Sequence, residues 1–419
     1  YGVFMSAMRE APALSAPVLA ATAAEPDATI GTPLTLLFAT SVGVIVTNLF
    51  ASQTLVGLIA PSLGMSAASG GFVAMATLLG YASGLFLLVP LADLFENRRL
   101  VVRLLCFAIV AAGAAALAPT SGSLLVLLFG LGASCSAIQI LVPIAASMTP
   151  PERRGRVIGD VMSGLMVGIL LSRPLASIIA DLFGWRAFWG LSAAFMAVLT
   201  IVLSRYLPEC RPSARASYRA LIASLWHLLR EEPVLRQRAL TASLSMAAFS
   251  LFWTAVALKL AQAPFDLSQR GIALFALAGA GGALVTPFAG RAGDRGWSRP
   301  LTITAHVVVV AAFALAAWAG TAQFAESYVP LVLMGVSAIL LDVGVIADQT
   351  FGRRAINLLK PEARGRLNGL FVGLFFLGGA VGSALAGFAW ASGGWLMICI
   401  LGAGFGLAGL LADYSSRAA

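Results

Sequence analysis

Residues 151–189 read PERRGRVIGDVMSGLMVGILLSRPLASIIADLFGWRAFW. A basic knot, Arg153, Arg154 and Arg156, opens the stretch. An apolar run long enough to cross a bilayer follows, and Gly184-Trp185 closes it. The pattern returns 210 residues later, at 361–399, as PEARGRLNGLFVGLFFLGGAVGSALAGFAWASGGWLMIC. Pro151/Pro361, Arg154/Arg364, Gly155/Gly365, Arg156/Arg366, Gly159/Gly369, Gly168/Gly378, Gly184/Gly394 and Trp185/Trp395 coincide. Arg173 falls opposite Ser383, so the first copy alone carries a charge in its middle. A repeat half a chain long predicts two related halves, and one asymmetric internal charge points to function.

Composition sets the solvent. Of 419 residues, 59% are hydrophobic and 11% charged, with mean hydropathy +0.92. Soluble domains carry about 25% charged residues, so most of this chain faces no water. The composition describes an all-α polytopic membrane protein. Twelve apolar runs approach the roughly 20 residues a spanning helix needs, among them 157–180, 186–206, 366–390 and 393–413. They divide into six-helix bundles at 33–206 and 238–413, joined by a linker at 207–237. Within the linker, 218–233 alternates basic and apolar faces at helical spacing and predicts a helix lying on the membrane surface. Residues 1–32 and 414–419 are expected to be tails, the first with no apolar core long enough for a secretory signal.

The charges give an orientation. Twenty-one of the 27 basic residues lie in the loops after the second, fourth, sixth, eighth and tenth runs. The positive-inside rule then puts those loops and both termini in the cytoplasm. The setting expected is a bacterial inner membrane. These arginines are spread over five loops and need no partner beyond anionic lipid, so nucleic-acid binding is not expected. The four cysteines have no metal-ligand spacing, and His227 and His306 form no visible site. No G-x4-G-K-[ST] phosphate loop occurs. No cofactor, metal or enzymatic activity is expected, and the chain is expected to be monomeric.

Twelve runs, a six-plus-six repeat and a central linker resemble the major facilitator superfamily, over about residues 33–413. PFAGRAGDRGWSRP (287–300) resembles that superfamily's loop signature, and VPLADLFENRRL (89–100) is its first-half counterpart. The latter departs from the signature at Val89, Leu94 and Glu96. The resemblance implies alternating access with a cytoplasmic gate, for which the candidates are Asp93, Arg98, Arg99, Arg154, Asp294, Arg295 and Arg364. Gly164, Gly168 and Pro174 stand where the proton-coupled antiporter branch has a glycine-rich signature. With Gly279, Gly281 and Gly282 they are expected to form a close helix seam between the halves. The branch usually has an arginine in its fourth span, and 124–139 has none. NLFASQTLVGLIAPSLG and LLDVGVIADQ read like bacterial drug and solute efflux permeases.

Charges inside spans are the default functional candidates. Asp342 is the leading proton carrier and Asp348 a second, the latter placed near the interface. Arg173 stays charged at any accessible pH. It is suited to bind an anionic group or act as a fixed counter-ion, or else to snorkel to the headgroups. At about 1.5 Å per residue, Arg173 lies in the outer half of the membrane and Asp342 in the inner half, so direct pairing is not expected. Asn48, Gln53, Gln139 and Gln349, with Phe249 and Trp253, complete the expected substrate cavity. The predicted activity is proton-coupled efflux of a small amphipathic or sugar-like solute. The alternatives are an organic-anion facilitator or importer with Arg173 as clamp, and a non-transporting receptor on the same scaffold.

Overall fold

The computed structural model describes residues 31–209, 217–279, 298–322, 328–360 and 363–415. Every regular element among them is helical. Ten segments are long and apolar enough to cross a membrane. Spans 1 to 6 are Thr32–Ser62, Ala67–Asp93, Asn97–Ala116, Ser121–Ser147, Pro151–Phe183 and Trp185–Tyr206. Span 7 is Pro233–Leu260, span 9 Ser298–Thr321 and span 10 Tyr328–Asn357. Arg364–Ser415 is two spans, 11 and 12, broken where Gly393 and Gly394 leave helical geometry. Span 8 is described from Gln269 to Gly279. The whole is a twelve-helix membrane protein in two pseudo-symmetric six-helix bundles.

The repeat seen in sequence is a repeat of packing. Gly168 of span 5 presses on span 1, where an added Cβ would lie 2.7 Å from the Gly43 Cα. Gly378 of span 11 presses on span 7, where a Cβ would lie 2.7 Å from the Ser243 Cα. Each close crossing lets backbones touch in a medium that offers no hydrophobic drive between helices. Both copies end alike, at a positive-φ glycine followed by an anchored tryptophan. Gly184 has φ 82° and Gly394 φ 57°. Trp185 donates to the Ser62 hydroxyl at 3.0 Å and Trp395 to the Ala316 carbonyl at 2.8 Å.

Two expectations need correction. Span 5 starts at Pro151, ahead of the expected 157, so Arg153, Arg154 and Arg156 lie within its first two turns. Proline's fixed φ suits a first helical position. Gly164 and Gly168 do not face the other half. They face span 1 of their own half, because a Cβ at either would strike the Ala39 or Gly43 backbone. Pro174 sits inside span 5. Gly281 and Gly282 lie outside the described residues.

The close crossing between halves pairs span 2 with span 11. A Cβ on Gly71 would lie 2.9 Å from the Gly387 nitrogen, and one on Gly387 2.9 Å from the Ala68 carbonyl carbon. Phe72 and Phe388 stack edge-on beside it, centroids 5.7 Å apart. This crossing lies at the arginine-poor end. There Arg270 of span 8 also meets Asp181 of span 5 at 2.7 Å.

A helix at Tyr218–Glu231 occupies the predicted surface stretch. Its Tyr218 hydroxyl donates to the Leu87 carbonyl at 3.0 Å. Glu232, at its end, meets Lys360 at 2.8 Å, and Glu231 meets it at 3.6 Å. The hydrogen bond to Glu232, with the charges of both glutamates, holds the Lys360 ammonium above the ordinary lysine range.

Candidate functional site

Arg173 is 3% exposed. It does not snorkel. Its Nε donates to Gln53 Oε1 of span 1 at 3.0 Å. Its guanidinium carbon lies 4.3 Å from the Trp253 ring centroid, 5.0 Å from Phe249 and 5.3 Å from Phe50. Cation–π contacts in a desolvated box contribute about 2 kcal/mol or more, which helps offset burial of a group that cannot shed its charge. Nη2 is buried and has no hydrogen-bond partner among the described residues. The box therefore positions the cation and leaves donor capacity unspent.

Asp342 of span 10 meets the edge of the same indole. Trp253 Nε1 donates to Asp342 Oδ1 at 2.9 Å. Gly279 makes room for this pair. A Cβ there would lie 2.9 Å from Asp342 Oδ2 and 3.2 Å from Trp253 Cζ2. Arg173 and Asp342 form no direct ion pair among the described residues, as expected. The depth separation nonetheless overstates their distance, since both line one cavity. Rise per residue locates backbone along a straight axis, whereas these side chains reach toward one another from facing helices.

That cavity holds about 140 Å³. Its walls are largely apolar, with aliphatic side chains beside the aromatic rings of Phe50, Phe249 and Phe376 and the thioethers of Met162, Met166 and Met246. Tyr81 and Phe376 stack edge-on at 4.6 Å. The polar lining is Gln139, Gln349, Tyr81, Asp342, Arg173 and Arg353. Gln139 Nε2 donates to the Tyr81 hydroxyl at 3.2 Å. Gln139 also lines a vestibule of about 480 Å³ at the arginine-rich end, whose rim includes Asp93, Asn97, Leu225 and Arg366. The central cavity thus adjoins a vestibule at that end, while the span 2–span 11 crossing closes the other.

Several expected residues sit elsewhere. Asn48 does not line the cavity. It faces span 6, where the Ser192 hydroxyl donates to its Oδ1 at 2.7 Å. Gln53 lies behind Arg173 and acts through it. Trp253 contacts both charges and is not itself part of the cavity lining. Asp348 is neither interfacial nor in the cavity. It is 1% exposed and faces Ser245 and His306, away from the solute space. His306, isolated in the sequence, therefore has partners in the fold.

Arg353 counts as a loop charge in the sequence. It belongs to the cavity, and a signal for it is present. Asp342, Val345, Ile346, Gln349 and Arg353 follow one face of span 10 at helical spacing.

The gate candidates hold to their own half where described. Arg98 donates to the Ser204 carbonyl, Arg154 to the Thr149 carbonyl at 2.9 Å and Arg364 to the Asn357 carbonyl at 3.1 Å. Arg99 meets Glu96 at 3.7 Å. Asp93 is exposed at the vestibule rim. Asp294 and Arg295 lie outside the described residues.

The sequence profile described as Major Facilitator Superfamily matches residues 34–350. The chain is 36% identical over 390 residues to the "Uncharacterized transporter YgaY" of Escherichia coli O157:H7, covering 92% of this chain and 96% of that one. It is 29% identical over 164 residues to a chloramphenicol resistance protein of Streptomyces lividans, 38% of this chain and 42% of that one. Among solved structures, that of the nucleoside transporter NupG superposes with TM-score 0.71 at 14% identity, covering 91% of this chain and 98% of that one.

Proposed function

The chain belongs to the major facilitator superfamily, and we propose that within it this transporter moves a small amphipathic solute out of the cell in exchange for protons. One observation carries the reading. A permanent cation, Arg173, and a titratable carboxylate, Asp342, line one cavity, and both contact the Trp253 indole. Asp342 can take up and release a proton. Arg173 cannot, and so acts as the fixed charge against which the carboxylate and a solute compete. Apolar walls that include aromatic and methionine side chains suit a flat or flexible apolar body, and the polar lining suits a polar end on it. The partial likeness to a chloramphenicol resistance protein supports a drug-like solute.

By the positive-inside rule the arginine-rich end is cytoplasmic, and the likeness to an Escherichia coli transporter supports the bacterial inner membrane as the setting. The vestibule then opens inward, and the Gly71–Gly387 crossing with the Asp181–Arg270 pair forms the outer closure. Alternating access requires both outer contacts to part when the vestibule closes. The transporter works as a monomer, with protons and the solute as its partners.

The test is transport in proteoliposomes with an imposed pH gradient. Wild type drives solute against its gradient. Asp342→Asn retains downhill exchange and loses the drive. Full gradient-driven transport by Asp342→Asn removes that residue from coupling. A second reading, an organic-anion facilitator, is favoured by the unpartnered Nη2 of Arg173 and by Arg353 in the same lining. It is selected if wild-type flux ignores the pH gradient and Arg173→Gln loses binding of aromatic carboxylates.

A further inference from the structure

A second buried polar cluster lies on the far side of span 10 from the cavity. Four spans contribute one ionisable group each, all toward the arginine-rich end. Arg238 comes from the start of span 7, His306 from span 9, Asp348 from span 10 and Asp413 from the end of span 12. Arg238 Nη1 meets Asp413 Oδ1 at 3.1 Å. His306 Nε2 lies 3.3 Å from Asp413 Oδ2 and 3.7 Å from Asp348 Oδ1. Ser245 of span 7 donates to the other oxygen of Asp348 at 2.9 Å, and Gln237 Nε2 approaches Asp413 Oδ1 at 3.4 Å. The imidazole is seated closely, since a Cβ on Gly409 would lie 2.7 Å from its Cε1. His306 and Asp348 are each 1% exposed.

The geometry decides what such a cluster can hold. One ring nitrogen faces carboxylate oxygens from two different helices in a buried setting. Among the described residues, Asp348 Oδ1 has no hydrogen-bond donor other than that nitrogen. A bare imidazole nitrogen and a carboxylate oxygen are both acceptors, so they repel unless a proton stands between them. That proton can rest on the ring nitrogen or pass to either carboxylate. An unrelieved charge in a membrane interior is expensive, so the arrangement favours keeping the proton in place.

We propose that His306, Asp348 and Asp413 form a proton-binding site separate from the solute cavity, holding one exchangeable proton between span 9 and spans 10 and 12. Loss of the proton leaves Asp348 and Asp413 repelling across the imidazole. Spans 10 and 12 are then less tightly held at the end where the vestibule opens. Asp342 lies six residues before Asp348 on span 10, so occupancy of this site biases the helix that carries the cavity carboxylate. The inference does not rest on coupling through Asp342.

The chain has two histidines, and His227 is exposed on the linker helix. A His227→Gln background without an added histidine tag therefore reports on His306 alone. Ring nitrogen and carbon shifts of isotope-labelled histidine are followed in lipid nanodiscs across about pH 5 to 9. The ring is expected to titrate in that window. Its midpoint is expected to move by about one unit or more in Asp413→Asn, as strongly coupled groups do, and to stay in place in Asp342→Asn. Asp348→Asn reads the same coupling from the opposite side if Asp413→Asn fails to fold. A ring that keeps one protonation state throughout, or a midpoint unchanged by the carboxylate substitution that folds, overturns the site. Survival of this titration alongside failed gradient coupling would separate it from the Asp342 reading.

Discussion

Span 5 and span 11 are copies of one pattern put to different use. Both press a glycine into a partner helix, at Gly168 and Gly378, and both end at a positive-φ glycine before an anchored tryptophan. At the middle position they part. Arg173 enters a box of aromatic rings at the cavity, whereas Ser383 lies against Thr254 at 3.3 Å beside the span 2 crossing. The two copies share a packing frame, and at this one middle position the first carries a charge at the cavity while the second carries a packing residue. Symmetry in this molecule is a property of packing.

The comparison can be broken at four places, in descending size of effect. Gly168→Val and Gly378→Val should each abolish folded, monodisperse protein, since a side chain would meet backbone that cannot move away. Survival of one and loss of the other in size-exclusion chromatography would show that the copies bear unequal packing loads. Arg173→Gln should lower solute flux in proteoliposomes by about 100-fold, near 2.7 kcal/mol. Ser383→Ala should keep flux within about twofold of wild type, a change below roughly 0.5 kcal/mol. Equal losses in the two variants would end the claim of asymmetry.

Trp395→Phe should lower thermal stability more than Trp185→Phe. Removing a buried hydrogen bond costs about 1 kcal/mol, and the Trp395 bond is fully buried whereas the Trp185 bond is partly so. Melting curves of the two variants in one lipid mixture decide the order. Gly159→Ala and Gly369→Ala should be neutral or gain up to about 1 kcal/mol, as expected for glycine replaced inside a helix. A Cβ meets nothing within 4 Å at either position. A fall in melting temperature at one of them would reveal a state in which that surface is covered.

Much of this is legible from residue order. Spans, the break near Gly394, the surface helix at 218–231 and the importance of Arg173 and Asp342 follow from runs, periodicity and the rarity of internal charge. What is not legible is which faces meet. Gly164 and Gly168 point to the wrong neighbour in the sequence because a glycine marks close approach without naming the partner. Asn48 reads as a cavity residue until Ser192 is seen to occupy it. The His306 cluster gathers residues 238, 306, 348 and 413, separated by whole helices, and no local pattern connects them. Arg353 is the instructive miss. Its helical register with Asp342 and Gln349 is available in the sequence, but its proximity to a basic loop disguises it.

The charges lining the cavity also have an electrical meaning. Arg173 and Arg353 against an ionised Asp342 leave one net positive charge on the described lining. A charge carried through the full membrane potential changes energy by about 2.3 kcal/mol per 100 mV. The empty carrier therefore turns over against or with the voltage. Under the anion-facilitator reading, a monoanionic solute would neutralise the lining and remove that dependence. Under the proton-exchange reading, a proton on Asp342 would raise the lining to two positive charges, so the proton-loaded and solute-loaded steps would respond unequally to the membrane potential.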